Sequence, residues 1–500
     1  MTNLTILFNK ILSSNIHKPI LGHKNINKSW NWKSRKELKI NVLNCIEVLK
    51  YNNINQSDRV MYKGNNSFEW VSWNIATNAL GAIWVPLYND QSDDYVNHII
   101  NDCNPKLFIN DNEFKNVRCI NNSVLLNDFN NDSKQDIPFC NNPDIAKLIY
   151  TSGTTGKPKG VMLTHENIIS NYDAIDRRFP DFKEQDLTSL NILPWAHIYG
   201  LTTELYYNIL NGNKIAISSD KENFVSELRE IRPDIIYLVP RILELIKSKF
   251  NGIEQTYFKY FLPTMLKYIF GSNLITIFSG GAKLNDNLIS FYNDNNIQIC
   301  QGYGCTETSP MISVNGLDNT NRDIYSIGKI MDNFIVKIID DEICVSSPSV
   351  MKGYWNNKEA TNEVLYKEQN NIFYKTGDTG YIKDDFLFYN GRMSENYKLN
   401  NGKFVSLSTI EDVVKTYINI PVIVYGDNKP YNILITEKDN IIDQLFIDKI
   451  NSKLDNYLHI KKVLYIESET FSKYMTPKLS LKRKLLIKDI EQLIDDIYRG

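Results

Sequence analysis

Residues Ile149–Gly160 read IYTSGTTGKPKG, and the reading of this stretch decides the fold. Ala146–Tyr150 (AKLIY) is an apolar run of strand length that empties into a turn holding Gly153, Gly156 and Gly160. Glycines let backbone approach an anion closely, and N–H groups and hydroxyls donate to phosphate oxygens. Thr151, Ser152, Thr154 and Thr155 supply the hydroxyls, and Lys157 and Lys159 add positive charge. The string is not the nucleotide loop GxxxxGK[ST]. Pro158 follows the lysine, where a helix and a metal-binding hydroxyl would be needed. The plainer alternative is a Gly/Thr-rich surface turn, which the length of the string disfavours.

Working outward, helical and strand patterns alternate. Ser34–Lys50 and Trp73–Leu80 show helical spacing, Ile83–Leu87 (IWVPL) a short strand, and Asn223–Arg232 a helix before the strand Ile235–Val239. Leu274–Ser279 and Ile297–Cys300 read as further buried strands. This alternation predicts an α/β fold with mostly parallel sheets. Beyond about residue 325 short strands dominate: Phe334–Ile339, Glu342–Ser346, Tyr381–Ile382 and Phe386–Tyr389. After Arg392 the pattern is a compact α+β unit, with helix Ser408–Thr416, strand Val422–Tyr425 and helix Asp448–Leu458. We therefore expect a large domain over 1–390 and a small one over 391–500, joined on the polar stretch NGRMSEN.

A chain of 500 residues exceeds what one hydrophobic core serves, which also argues for several domains. Roughly one residue in eight is Asn, densest in 101–142, which we attribute to base composition; 128–143 reads as a surface loop. The net charge of -2 gives no case for nucleic acid as partner. No apolar run approaches the ~20 residues of a membrane span. The N-terminal MTNLTILFNKILSSN has no basic segment ahead of its apolar residues, so a secretory signal is not expected. Seven cysteines without a CxxC pair fit a reducing cytosol, and the expected location is cytoplasmic, with peripheral membrane contact compatible. Cys300 and Cys305 are read as packing residues.

Further motifs follow in order: LPWAHIYG (193–200), FSGGAKL (278–284), QGYGCTETSP (301–310), SSPSVMKGYW (346–355), YKTGDTGYI (374–382) and GR (391–392). With the opening string they resemble the adenylate-forming superfamily, which includes acyl-CoA synthetases, luciferases and peptide-synthetase adenylation domains. The resemblance spans roughly 30–490. YKLNNGKFVSLSTIE (397–411) and MTPKLSLKRK (475–484) are similar to the endings of long-chain fatty acyl-CoA synthetases.

The resemblance implies ATP, Mg²⁺ and coenzyme A as reactants and a fatty acid as substrate. It implies that Thr151, Ser152, Gly153, Thr154, Thr155, Gly156 and Lys157 serve the phosphates. Gly281, Ala282, Tyr303 and Gly304 would border the adenine, with Thr306 beside them. Glu307 would hold the metal, and Asp378 and Arg392 the ribose. His197 would lie beside the acyl pocket. The chemistry is consistent: a carboxylate attacking a phosphate brings two anions together, so fixed donors and a cation must spread the charge. A carboxylate such as Asp378 can accept from both ribose hydroxyls. Taken alone, Glu307 would read as a solvated charge, Asp378 as a turn former and His197 as a packed core residue.

Two positions depart from the family pattern. Ser480 stands where the family has its C-terminal lysine, leaving Lys478 and Lys482, each two residues away, as substitutes. Ser394 occupies the hinge position, usually Asp or Lys. Two other readings therefore stand beside a fatty acid–CoA ligase. One is an adenylating enzyme loading an acyl carrier protein in trans, and the other a binding protein that kept the fold without the chemistry.

Overall fold

The computed structural model describes residues 3–499, apart from 26, 123–130, 142–143, 153–157, 184, 251–256, 394–395, 402, 419–421, 439–441 and 475–480. Gly153, Thr154, Thr155, Gly156, Lys157, Ser394, Lys478 and Ser480 lie outside the described residues. So do parts of the expected 128–143 loop, of which 131–141 contains turns and no helix or strand.

The fold is α/β. Among the described residues one sheet has fourteen strands and a second has seven. One half of the large sheet is a parallel run of Pro19–Lys24, Lys214–Ile217, Thr188–Asn191, Ile235–Leu238, Thr276–Ser279 and Ile299–Gly304. Parallel strands are covered on both faces, so they need continuous apolar runs rather than alternation. Ile235–Leu238 (IIYL) is accordingly buried at every position. The same holds for Ile83–Leu87 in the seven-stranded sheet, where it lies between Arg59–Lys63 and Ile145–Ser152. Beyond Gly304 the large sheet turns antiparallel through Met311–Val314, Lys329–Ile330, Phe386–Arg392, Asn371–Lys383, Glu342–Ser346 and Ile335–Ile339. Four of them match the strands expected beyond residue 325, with Tyr381–Ile382 only the end of the longer Asn371–Lys383; Met311–Val314 and Lys329–Ile330 were not expected.

Helix ends follow their caps. Arg35–Tyr51 opens on a reciprocal capping box between Ser34 and Glu37. Phe68–Ala79 starts earlier than its apolar spacing predicts, because Ser67 accepts from Trp70 N and nucleates the first turn. The helix expected over 448–458 is displaced to Gln444–Asn451. Asp443 caps it by accepting from Phe446 N, and a separate short turn covers Asn456–Leu458. The strand expected over 297–300 runs on to Gly304, because Gly302 and Gly304 pair with Val314 and Met311. Only glycine fits at 304, where a Cβ would stand 1.7 Å from the Pro310 carbonyl oxygen.

The chain from Tyr397 onward packs apolar clusters of its own. One gathers Tyr397, Val405, Ile410 and Val424. The other gathers Ile433, Phe471, Leu486 and Ile494 around the sheet of Val422–Tyr425, Asn432–Glu437 and Ile460–Ile466. Among the described residues no helix is long and apolar enough to cross a membrane.

Candidate active site

A cleft of about 2790 Å³ opens where the C-terminal ends of the parallel strands meet the antiparallel half of the large sheet. The crevice beyond the carboxyl ends of parallel strands is where α/β sheets generally hold ligands. Thr151, His197, Gly281, Ala282, Tyr303, Gly304, Thr306, Glu307, Asp378 and Arg392, spread over 242 positions of sequence, all line it. The backbone of Ser152 pairs with that of Pro158 in the hairpin that flanks residues 153–157.

A hairpin joins the TGD and GR segments. Asn371–Lys383 and Phe386–Arg392 are connected through Asp384 and Asp385, both at positive φ, as a tight two-residue turn requires. The antiparallel register then sets Asp378 opposite Arg392. Arg392 Nε lies 2.9 Å from Asp378 Oδ1, and its Nη1 donates to the Thr376 carbonyl at 3.1 Å. Tyr303 donates its hydroxyl to Asp378 Oδ2 at 2.6 Å. Asp378 N and Gly377 N are held in turn by the Thr376 hydroxyl and the Glu342 carboxylate. Partial burial works against the Arg392 charge, yet the adjoining Asp378 carboxylate holds the guanidinium above its ordinary value. Burial first, and the Asp378 charge second, push the Tyr303 phenol up, so it is a donor at neutral pH. Tyr303 and Arg392 thus fix the two oxygens of one carboxylate, a role the sequence alone did not assign to them.

Glu307 sits in the short helical turn Thr306–Thr308 and lines the cleft. Its Oε1 accepts from the Tyr354 hydroxyl at 2.9 Å. No group of three or more His, Cys, Asp or Glu that could hold a metal occurs among the described residues. A lone carboxylate suits Mg²⁺ that arrives with a nucleotide, since that ion keeps phosphate oxygens and waters as its other ligands. Lys159, on the strand Pro158–Thr164, sits 5.2 Å from the centroid of the Tyr354 ring.

One helix ties these loops together. His165–Arg178 is capped by Thr164 and Asn167. Asn167 Nδ2 donates to the carbonyls of Pro348 and Val350, and Asn171 Nδ2, one turn on, to those of Thr308 and Met311. Sequence reasoning passed over both. The available signal was an Asn pair at (i, i+4) shortly after the string TSGTTGKPKG.

His197 lines the cleft, and its Nδ1 accepts from Tyr199 N at 3.2 Å. The aromatic side chains of Tyr199, Phe179, Tyr237 and Phe278, all largely buried, also line the cleft. The last two rings stack at 5.2 Å, and Tyr199 donates to the Phe278 carbonyl at 3.0 Å. An aromatic wall of this kind suits a carbon chain. Gly280 packs against the Tyr199 ring, which a Cβ there would meet at 3.2 Å.

The C-terminal part closes over the cleft with helix Leu407–Lys415. Lys283 pairs with Asp412 at 3.0 Å, and Asn287 Nδ2 reaches the Thr416 carbonyl at 3.4 Å. Leu481 and Arg483 line the cleft, and Arg483 forms a two-pronged ion pair with the buried Glu411. Lys482, between them, is exposed and does not line it in this arrangement.

A twisted α/β sheet with a Gly-rich loop, a paired Asp and Arg, and one cleft-lining Glu is the framework of a nucleotide-binding enzyme. The chain belongs to the family described as AMP-binding enzyme, which matches residues 15–355. It is 29% identical over 369 residues to a protein of Dictyostelium discoideum named "Probable 4-coumarate--CoA ligase 1", covering 68% of this chain and 63% of that protein. It is 25% identical over 446 residues to the long-chain-fatty-acid–CoA ligase FadD15 of Mycobacterium bovis, covering 76% of this chain and 72% of that one. Among solved structures it resembles ATP-bound MatB from Rhodopseudomonas palustris, with TM-score 0.81 and 20% identity over 99% of this chain and 100% of that chain. It also resembles the O-succinylbenzoate coenzyme A synthetase of Bacillus subtilis in complex with ATP and magnesium ion, with TM-score 0.77 and 20% identity over 96% of this chain and 98% of that chain. At these identities the likeness to the solved structures is one of fold.

Proposed function

We propose that the protein is an AMP-forming acid–CoA ligase whose substrate is a fatty acid. The observation that carries the reading is one cleft lined by the Tyr303–Asp378–Arg392 cluster, Glu307, His197 and the aromatic side chains of Phe179, Tyr199, Tyr237 and Phe278. The carboxylate oxygen of the acid attacks the α-phosphorus of ATP, the bond to pyrophosphate breaks, and an acyl adenylate forms. The CoA thiol then attacks the acyl carbon, loses its proton to solvent and expels AMP. Asp378, held from both sides, would accept from the ribose hydroxyls. Thr151 and the loop after it would donate to phosphate oxygens. Glu307 would hold Mg²⁺, which when bound offsets phosphate charge. The ligase names of relatives with partial coverage support a CoA-dependent reaction, and the endings at 397–411 and 475–484 favour a fatty acid over an aromatic acid.

The same reading makes 391–500 a mobile lid, because one site must hold first pyrophosphate and then a thiol. The test is pyrophosphate release from ATP and Mg²⁺ with a series of carboxylic acids, with CoA or a carrier protein as acceptor. Each buried CH₂ is worth ~0.8 kcal/mol, so KM falls with chain length until the pocket is full. A best substrate that is short or aromatic contradicts the fatty-acid reading.

A further inference from the structure

Tyr354 lies in the turn SSPSVMKGYW, where no catalytic or binding role attaches to it from the motif. The strand Gly353–Tyr354 is the edge of the seven-stranded sheet and pairs with Pro158–Thr164, the strand that leaves the phosphate loop; Tyr354 stands opposite Val161. Trp355 N donates to the Gly160 carbonyl at 2.7 Å, and Met351 N donates to the Glu307 carbonyl at 2.8 Å. The segment is therefore fastened at one end to the loop's exit and at the other to the backbone of Glu307. Gly353 is required beside it, since a Cβ there would stand 2.9 Å from Thr361 Cγ2. The Tyr354 residue is 7% exposed and lines the cleft. The phenol occupies one carboxylate oxygen of Glu307 and its ring carries Lys159.

We propose that Tyr354 is a positioning residue for the carboxylate of Glu307, turning its second oxygen toward the metal and coupling its placement to the phosphate loop. The proposal rests on the reading of Glu307 as the metal-holding group. A phenol that donates to Oε1 removes the rotational freedom of the carboxylate, and partners that orient a metal's ligands in this way typically govern affinity by 10–100-fold. The ring contact with Lys159 survives removal of the hydroxyl, so Tyr354→Phe isolates the hydrogen bond.

The experiment is calorimetric titration of ATP into the full-length protein at stepped MgCl₂ concentrations, without a carboxylic acid, so that no turnover occurs. Tyr354→Phe is expected to raise the Mg²⁺ concentration for half-maximal ATP binding about 10-fold. It should leave metal-free ATP binding and the melting temperature of the ligand-free protein unchanged. Glu307→Gln is expected to shift the Mg²⁺ dependence at least as far, and the double variant no further than Glu307→Gln alone. A shift in Glu307→Gln with none in Tyr354→Phe overturns the positioning role and leaves the metal reading intact. No shift in either overturns both. A Tyr354→Phe protein that melts lower and loses ATP affinity equally with and without Mg²⁺ assigns the tyrosine to structure and also overturns the proposal.

Discussion

Tyr303 and Asp378, 75 positions apart in sequence, share a 2.6 Å hydrogen bond, and Arg392 takes the other oxygen of the same carboxylate at 2.9 Å. An acceptor held by two donors before the ligand arrives pays its ordering cost on folding rather than on binding. Removing the tyrosine hydroxyl frees one oxygen without emptying the space. A hydrogen bond to a charged group contributes about 1.5–3 kcal/mol. Tyr303→Phe should therefore weaken ATP binding by roughly ten-fold or more, while Asp378→Ala should cost more. ATP titration of the two variants checks this, and equal affinities in native and Tyr303→Phe proteins would count against it.

The contact between Lys283 and Asp412 joins the Gly-rich turn at 280–282 to the helix that covers it. Their side chains are 28% and 39% exposed, so the pair is worth at most ~1 kcal/mol. That is enough to shift a lid equilibrium a few-fold without altering the melting temperature. Lys283→Met and Asp412→Asn should change the rate of pyrophosphate release by up to about five-fold. The double variant should match either single one, and the differences should shrink in 1 M NaCl. A charge swap is a poor control here. Asp286 is adjacent: burial raises its carboxyl, the Lys283 charge offsets part of that, and the Asp412 charge adds to it. Additive effects of the two single changes would rule the latch out.

Two buried bases behind the loop strand predict how stability varies with pH. Lys147 is fully buried, donates to Asn74 and Asn78, and burial holds its amine well below the usual 10.5. His165 is pushed down to about 3 by burial and then by Lys147, and its Nδ1 accepts from Leu4 N. For both groups the unfolded chain binds the proton first. Stability should thus rise with pH towards 10.5 on account of Lys147, and fall on acidification from 6.5 towards about 3 on account of His165. One proton gives a slope of at most about 1.4 kcal/mol per pH unit. Urea unfolding across pH should show Lys147→Met flattening the alkaline limb and His165→Gln the acidic one. Native slopes retained in either variant would contradict the assignment.

Much of the site was legible because its residues sit in short motifs whose chemistry is local, as with Asp378 in TGD or Glu307 after GYGCT. Their mutual geometry was not. Nothing in sequence spacing says that the turn at Asp384 and Asp385 sets Asp378 opposite Arg392, or that Tyr303 spends its hydroxyl on that carboxylate. Tyr354 read as part of a turn because its partner lies 47 residues away, in the short helical turn Thr306–Thr308. In the fold, the fully buried strands Ile83–Leu87 and Ile235–Leu238 were plain from their apolar runs. The helix at Gln444–Asn451 was misplaced because the Asp443 cap outweighs apolar spacing in setting where it starts.

The account rests on the cleft joining an acid to AMP, and the most direct measurement is carboxylate-dependent pyrophosphate release from ATP with Mg²⁺, with and without CoA. Medium- and long-chain fatty acids should elicit release, and CoA should convert the bound adenylate to acyl-CoA and free AMP. No pyrophosphate with any carboxylate, from a protein that still binds ATP, would contradict it and leave a nucleotide-binding protein that kept the fold.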